Sequence, residues 1–203
     1  MAAAAPGLRS GVHRLRGDDD LTSDLATPPY GRRALRRAAV LVPVLAREPG
    51  LTVLLTRRTV HLREHAGQIS FPGGGMEPDD PSPEATALRE ATEEVGLEPD
   101  LCSLLGRLDD YVTRTGFRVT PVVALVTPPV ALAPDPFEVA EVFEVPLGFL
   151  IDPANHEQCE AAGPDGLVRR FWTMPYRDWT IWGATAGMIR NLHEILHEGE
   201  ARP

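Results

Sequence analysis

Cysteine is scarce in this chain. Its 203 residues hold two, Cys102 and Cys159, far apart and with no metal-ligand spacing around them. That argues against a cysteine-built zinc site and makes free thiols in a reducing compartment the expectation, with a single disulfide left open by sequence. Long apolar runs are missing too: none approaches the roughly 20 residues that a bilayer-spanning helix needs. Positive charge is in deficit, with 20 Lys and Arg against 29 Asp and Glu and a formal net charge of −9. Such a balance argues against non-specific nucleic-acid binding, and an anionic substrate would need metal and local arginines to approach. What remains is one domain's worth of chain, long enough to bury a sizeable core. The expectation is a compact cytoplasmic enzyme with no membrane or nucleic-acid partner.

Residues 1–35 are of different material. They lack sustained apolar periodicity and are rich in Ala, Arg, Asp and Pro. Up to Gly17 the segment is basic and free of acids, a faint likeness to a mitochondrial presequence that Asp18, Asp19 and Asp20 spoil. A partly ordered, helical extension of a bacterial cytosolic protein is expected, with the acidic triplet solvated, ahead of a domain over 36–200.

From Ala38 onward the pattern alternates in type. Strands are predicted over 38–45 and 51–57, joined across the turn signal Glu48-Pro49-Gly50, and over 69–71. A strand pair over 101–112 and 118–126 turns around Arg114-Thr115-Gly116. Pro128, Pro129, Pro134 and Pro136 mark a loop, followed by strands over 138–145 and 167–174. A closing helix is predicted over 181–197, with Thr185, Met188, Ile189, Leu192, Ile195 and Leu196 at helical spacing. Mixed strands with two helices suggest an α/β fold, a sheet sandwiched between helices.

The most informative stretch is 54–97, LLTRRTVHLREHAGQISFPGGGMEPDDPSPEATALREATEEVGL. It ends in a short helix with its own start and stop signals: Ser82 as N-cap, Pro83 at the first helical position, Glu84 at the positive end of the dipole, and Gly96 as a left-handed stop. Leu88, Ala91 and Val95 form the expected core face, and Glu90, Glu93 and Glu94 an arc of roughly 100° on the opposite side. Helix stability does not ask for these acids. Glu90 and Glu94 repel at i,i+4, and Glu93 and Glu94 sit where the dipole disfavours anions by roughly 0.3–1 kcal/mol. A hard divalent cation reverses that repulsion, and Mg²⁺ takes carboxylate oxygens together with substrate phosphates. Arg89 offers a guanidinium to pair with one carboxylate and fix its rotamer.

The run 89–97, REATEEVGL, resembles the second half of a Nudix box, REUxEExGU with U apolar. The first half departs from it. Asp80 stands six residues after Gly74 where the box has Glu, and eight residues rather than seven precede Arg89. That departure is similar to the variant box of the coenzyme A pyrophosphatase branch, FPGGxxDxxDxxxxxTALREAxEExGL, with Glu77 in place of its first Asp. The branch's upstream signature, LLTxRxxxLRxxxGxxxFPGG, is met by Leu54, Leu55, Thr56, Arg58, Leu62, Arg63, Gly67 and Phe71. Weaker likeness extends over about 36–197, including Gly106 to Pro121, Glu138 to Leu147 and Ile181 to Ala186.

The resemblance implies the α/β/α Nudix fold, with a mixed β-sheet between α-helices, and metal-assisted hydrolysis of a diphosphate. Mg²⁺ or Mn²⁺ would be held by Glu90, Glu93 and Glu94 with the Gly73 carbonyl, and Arg89 would serve the catalytic set. The base that activates water is left open among Glu93, Glu138 and Glu141. Arg58 and Arg63 are expected to contact phosphate. Gly67, Phe71 and Gly74 complete the substrate set, the glycines of this region letting backbone approach closely. His61 and His65 are expected at the surface. Coenzyme A is the implied substrate, giving adenosine 3′,5′-bisphosphate and 4′-phosphopantetheine, and a family-like homodimer is expected. The alternatives are a hydrolase of another nucleoside diphosphate, such as ADP-ribose or a dinucleotide, and a ligand-sensing module without turnover. No SQPWPFP-like array or zinc-type cysteine set favours an NADH enzyme, and no metal carboxylate is lost, as a mere sensor would usually require.

Overall fold

Residues 36–46, RRAAVLVPVLA, carry apolar side chains at both parities, so the strand they form has two faces to cover. The computed structural model describes residues 15–18, 20, 34–61, 66–163 and 166–200, with side chains to 197. In chain order the first elements are β1 (Leu15–Gly17), β2 (Arg36–Ala46), β3 (Leu51–Arg58), β4 (Ile69–Ser70), β5 (Gly73–Gly75) and α1 (Pro83–Val95). Next come β6 (Cys102–Arg107), β7 (Asp110–Val112), β8 (Phe117–Val126), β9 (Val139–Pro146) and α2 (Leu147–Ile151). The last are β10 (Glu157–Ala162), β11 (Val168–Tyr176), β12 (Trp179–Trp182) and α3 (Gly183–Glu200).

Nine strands form one mixed sheet in the order β1-β7-β8-β2-β3-β4, with β5 also on β2, β6 on β8 and β9 on β3. β2 runs parallel to β8 from Arg36↔Phe117 to Leu45↔Val126, and β1 parallel to β7; the other pairs are antiparallel. Alternation along β2 and β3 divides the core. Ala39, Leu41, Leu45 and Leu54 pack with Ala87, Ala91 and Val95 of α1. Val42, Val44, Val53 and Leu55 pack with Ala186, Met188, Ile189, Leu192 and Ile195 of α3. The sheet is thus covered on both faces, the α/β/α arrangement expected. Among the described residues no helix is long and apolar enough to cross a membrane.

Three local expectations are corrected. The stretch predicted as one strand over 101–112 breaks into β6 and β7, because Asp109 N–H leaves the ladder to donate to Asn191 Oδ1 of α3 at 2.8 Å. Ile181 and Trp182 do not begin the closing helix. They end β12, one edge of a separate antiparallel sheet β10-β11-β12. The β11–β12 turn carries Arg177 at φ 53, a left-handed position for which arginine gives no sequence signal. Leu196, assigned to the apolar face of α3, is 39% exposed.

In the N-terminal segment the described part is a strand rather than a helix. Arg16 fastens it, donating to Asp109 at 2.9 Å and to Glu194 at 2.6 Å. Asp18 is not merely solvated: it accepts from Tyr111 Oη at 2.9 Å and from Arg114 N–H at 2.8 Å. Apart from Asp20, Ala34 and Leu35, the rest of the expected extension lies outside the described residues. Cys102 and Cys159 are free thiols, each half-buried.

Candidate active site

α1 begins and ends where its signals predict. Ser82 Oγ accepts from Ala85 N–H at 3.2 Å, Pro83 opens the helix, and Gly96 closes it at φ 68. Its buried face is broader than Leu88, Ala91 and Val95. It includes Pro83, Thr86, Ala87 and Glu94, while Leu88 is only half-buried. At about 100° per residue Glu94 falls roughly 20° from Ala87. The glutamates therefore border the core instead of opposing it, and they are graded in depth. The Glu94 side chain is 4% exposed, Glu90 16% and Glu93 59%.

Burial dominates the chemistry of Glu94. It pushes the carboxyl up to about 7, against the opposing pull of Arg58 and of the Gly73 N–H, while Glu138 and Glu90 push it further upward. Arg58 Nη1 lies 3.3 Å from Glu94 Oε1, and Gly73 N–H donates to Oε2 at 3.2 Å. Glu90 is likewise raised by burial, with Arg89 opposing.

Arg89 holds more than one carboxylate. Its Nε and Nη2 form a fork on Asp80, at 3.2 and 2.9 Å. Its Nη1 bridges Glu90 Oε1 and Glu93 Oε2, each at 3.0 Å, and Nη2 also reaches the Gly75 carbonyl at 3.1 Å. Asp80 takes two further donors, Thr86 Oγ1 and Glu77 N–H, both at 2.9 Å. With the Arg89 guanidinium on it first of all, the Asp80 carboxyl is held well below the usual carboxylate range. Asp80 is therefore the anchor of Arg89, and Arg89 in turn holds Glu90 and Glu93. The resemblance marked Asp80 and Thr86 but assigned neither of them this contact.

β5 brings the glycines up to α1. A Cβ on Gly73 would lie 2.5 Å from the Ala39 carbonyl, where backbone leaves no room, and one on Gly74 2.6 Å from the Glu90 carboxylate, which would have to move aside. Glu138 enters from the loop before β9. It is 43% exposed, stands 3.8 Å from Arg58, and acts electrostatically on both Glu90 and Glu94.

Other expected members are not brought to this cluster. Glu141 pairs with Arg57 at 3.1 Å and faces Trp179 Nε1 at 3.5 Å, in a small separate cavity that Gly67 also lines. Gly67, at φ 71, shapes the turn between β3 and β4, its N–H donating to the Arg58 carbonyl at 3.2 Å. Phe71 is buried in the core and lines a larger cavity beside the site. His61 is exposed, as expected. Arg63 and His65 lie outside the described residues.

That larger cavity, about 790 Å³, runs from Arg58 and the β5 glycines to β11, β12 and α3. Trp172, Trp182 and Arg190 stand along it. Sequence reasoning assigned none of the three to the site: they converge from separate elements, and Trp182 entered only within the weaker likeness over Ile181 to Ala186.

The donor set suits a hard divalent ion. It is all oxygen, carries more carboxylates than guanidiniums, and includes a buried acid whose charge is incompletely offset. Among the described residues, no three acidic, His or Cys side chains stand close enough to grip one ion as arranged. Glu90 and Glu93 would have to turn off Arg89 Nη1 to join Glu94.

Comparison with known proteins agrees with this geometry. The NUDIX domain model matches residues 35–162. The uncharacterized Nudix hydrolase NudL of Escherichia coli (strain K12) is 41% identical over 179 residues, 86% of this chain and 92% of its own length. NudL of Enterobacter sp. (strain 638) is 41% identical over 185 residues, covering 89% and 95%. The crystal structure of a MutT/nudix family protein from Enterococcus faecalis superposes with a TM-score of 0.51 at 18% identity, over 90% of this chain and 70% of that one, a likeness of fold.

Proposed function

This chain belongs to the Nudix family, and from that premise we propose that it hydrolyses the diphosphate of coenzyme A or its derivatives to adenosine 3′,5′-bisphosphate and 4′-phosphopantetheine. Nudix hydrolases act on small nucleotide substrates and generally use divalent ions such as Mg²⁺ or Mn²⁺. The observation that carries the finer reading is the joining of two signatures at one site. Arg58 of the upstream signature lies against Glu94 of the variant box, at the mouth of the 790 Å³ cavity.

In this reading water adds to one phosphorus of the diphosphate, the bridging P–O bond breaks, and the bridging oxygen leaves with the other phosphate. Glu138 takes the proton from the water and releases it to solvent. Its exposure, its loose 3.8 Å contact with Arg58 and its closeness to the helix acids support that role over Glu93, which Arg89 engages at 3.0 Å, and over Glu141, which pairs with Arg57. Glu90, Glu93 and Glu94, with backbone at Gly73, would hold the cation. When bound, it supplies neutralisation of the charge on the diphosphate oxygens. Arg58 is freed from Glu94 to face phosphate, and the glycines of β5 let the protein backbone lie close to the substrate. The same reading makes the protein cytoplasmic.

The test is chromatography of the products from coenzyme A, ADP-ribose and NADH incubated with the purified protein, with Mg²⁺, Mn²⁺ or EDTA. Metal-dependent release of adenosine 3′,5′-bisphosphate, with little turnover of the other two, is expected. Intact coenzyme A beside cleaved ADP-ribose would move the substrate, and no cleavage at all would leave a ligand-sensing module.

A further inference from the structure

The end of the large cavity away from the glutamates is built from aromatic and cationic groups. The guanidinium of Arg190, on α3, lies over the ring of Trp172, 4.1 Å from its centroid. Its polar contacts are long: 3.5 Å to His156 Nδ1 and 3.5 Å to Glu194 Oε1. The other oxygen of Glu194 is taken by Arg16 at 2.6 Å. Trp182, 41% exposed, stands edge-on to Phe171 with ring centroids 5.8 Å apart. Of the arginines that line the cavity, Arg16, Arg58 and Arg170 are held by carboxylates at 2.6–3.3 Å, whereas the contacts of Arg190 are the two long ones.

We propose that Arg190, braced on Trp172, forms a subsite for the 3′-phosphate at the adenosine end of the substrate, with the guanidinium on that phosphate. The proposal rests on the coenzyme A reading above. Stacking on Trp172 fixes the plane of the guanidinium without consuming its N–H donors, which stay in that plane. Two contacts at 3.5 Å leave the donors short of good partners, and a phosphate supplies oxygens at the geometry a guanidinium fork prefers. The chemistry recognised is a phosphate monoester outside the scissile diphosphate. Binding such a remote part gives the enzyme interaction energy to use at the reacting centre.

The experiment is equilibrium binding, by calorimetry, of adenosine 3′,5′-bisphosphate and of AMP to the full chain and to Arg190→Met and Arg190→Lys, each first checked for an unchanged melting profile. The unmodified chain is expected to prefer the bisphosphate by about tenfold or more, the size of one charged hydrogen-bonded contact. Arg190→Met should abolish that preference while changing AMP affinity less than about twofold. Arg190→Lys, which keeps charge without the fork, should fall between. An unmodified chain without preference, or an Arg190→Met protein that retains it, overturns the subsite. Binding is read without turnover, so the two ideas separate. Cleavage of coenzyme A with the preference surviving Arg190→Met sinks the subsite alone, and a preference lost in that variant without cleavage sinks the activity alone.

Discussion

Arg58 Nη1 stands 3.3 Å from Glu94 Oε1, a pair in which the arginine side chain is 24% exposed and the glutamate 4%. β3 carries the cation and α1 the anion, so this contact ties the sheet to the helix at the point where the glutamates are deepest. A buried carboxylate with one guanidinium and one N–H donor is under-compensated. Removing its charge separates what the residue does for chemistry from what it does to stability. Glu94→Gln is expected to cut turnover at least about a hundredfold. Its melting temperature without metal should stay level or rise by a few degrees, as about 1 kcal/mol is worth about 2–4 °C in a chain of this size. Near-normal turnover would remove Glu94 from the reaction.

The same carboxyl sets a pH dependence. Folding raises it from an ordinary 4.5 to about 7. Between those values the folded chain holds a proton that the unfolded chain has released, so the stability of the metal-free protein falls as pH rises through that window. Melting in EDTA at several pH values between 4.5 and 7 should show this fall, and Glu94→Gln should flatten it. Added Mg²⁺ should raise the melting temperature more at pH 7.5 than at pH 5.5, because proton and cation compete for the same oxygens. An equal Mg²⁺ effect at both values would count against the assignment.

The three glycines of β5 should respond differently to alanine. At Gly73 the new Cβ meets backbone, 2.5 Å from the Ala39 carbonyl and 2.6 Å from Val40 Cα. The strand must shift, with a loss of about 1–3 kcal/mol. At Gly74 it meets the Glu90 carboxylate at 2.6 Å, which a side chain can avoid by moving, so the fold should survive while metal-dependent turnover falls. At Gly75 nothing lies within 4 Å, and both stability and turnover should stay near normal. Melting curves and initial rates on the three variants check this order.

Asp80→Asn is expected to lower turnover about 10–100-fold, the usual effect of losing a partner that orients metal ligands. Asn retains the size but not the charge that receives the Arg89 fork. Arg89→Lys should do similar damage from the other side, since an ammonium cannot span Asp80 and both glutamates. Affinity for Mg²⁺ should fall with turnover in both variants; turnover lost at unchanged affinity would place the pair in some other role.

The helix and its three acids were legible because their signals are local: a capping serine, a proline, a terminal glycine and carboxylates where a helix does not favour them. The depth of Glu94 was not. Counting only Leu88, Ala91 and Val95 as the core face overlooked Ala87, Thr86 and Pro83, which are small or polar yet buried, and which turn that face toward the glutamates. β10, with sequence EQCEAA, has too little apolar alternation to announce a strand. β12 was hidden because its turn relies on Arg177 in a conformation normally signalled by glycine or asparagine. The aromatic end of the cavity was illegible for another reason: Trp172, Trp182 and Arg190 meet only after a second sheet and α3 have formed. The upstream signature pointed to Arg58 as a phosphate contact, and the structure sets it against Glu94, while Gly67 of the same signature shapes a turn.

The match to the family model spans residues 35–162, yet the cavity is also lined by Arg16, Gly17, Asp18 and Asp20 on one side and by residues between Arg170 and Glu194 on the other. Its lining is a composite, part from the family core and part from two segments beyond it, so substitutions in those segments reshape the chamber while α1 and its glutamates stay as they are.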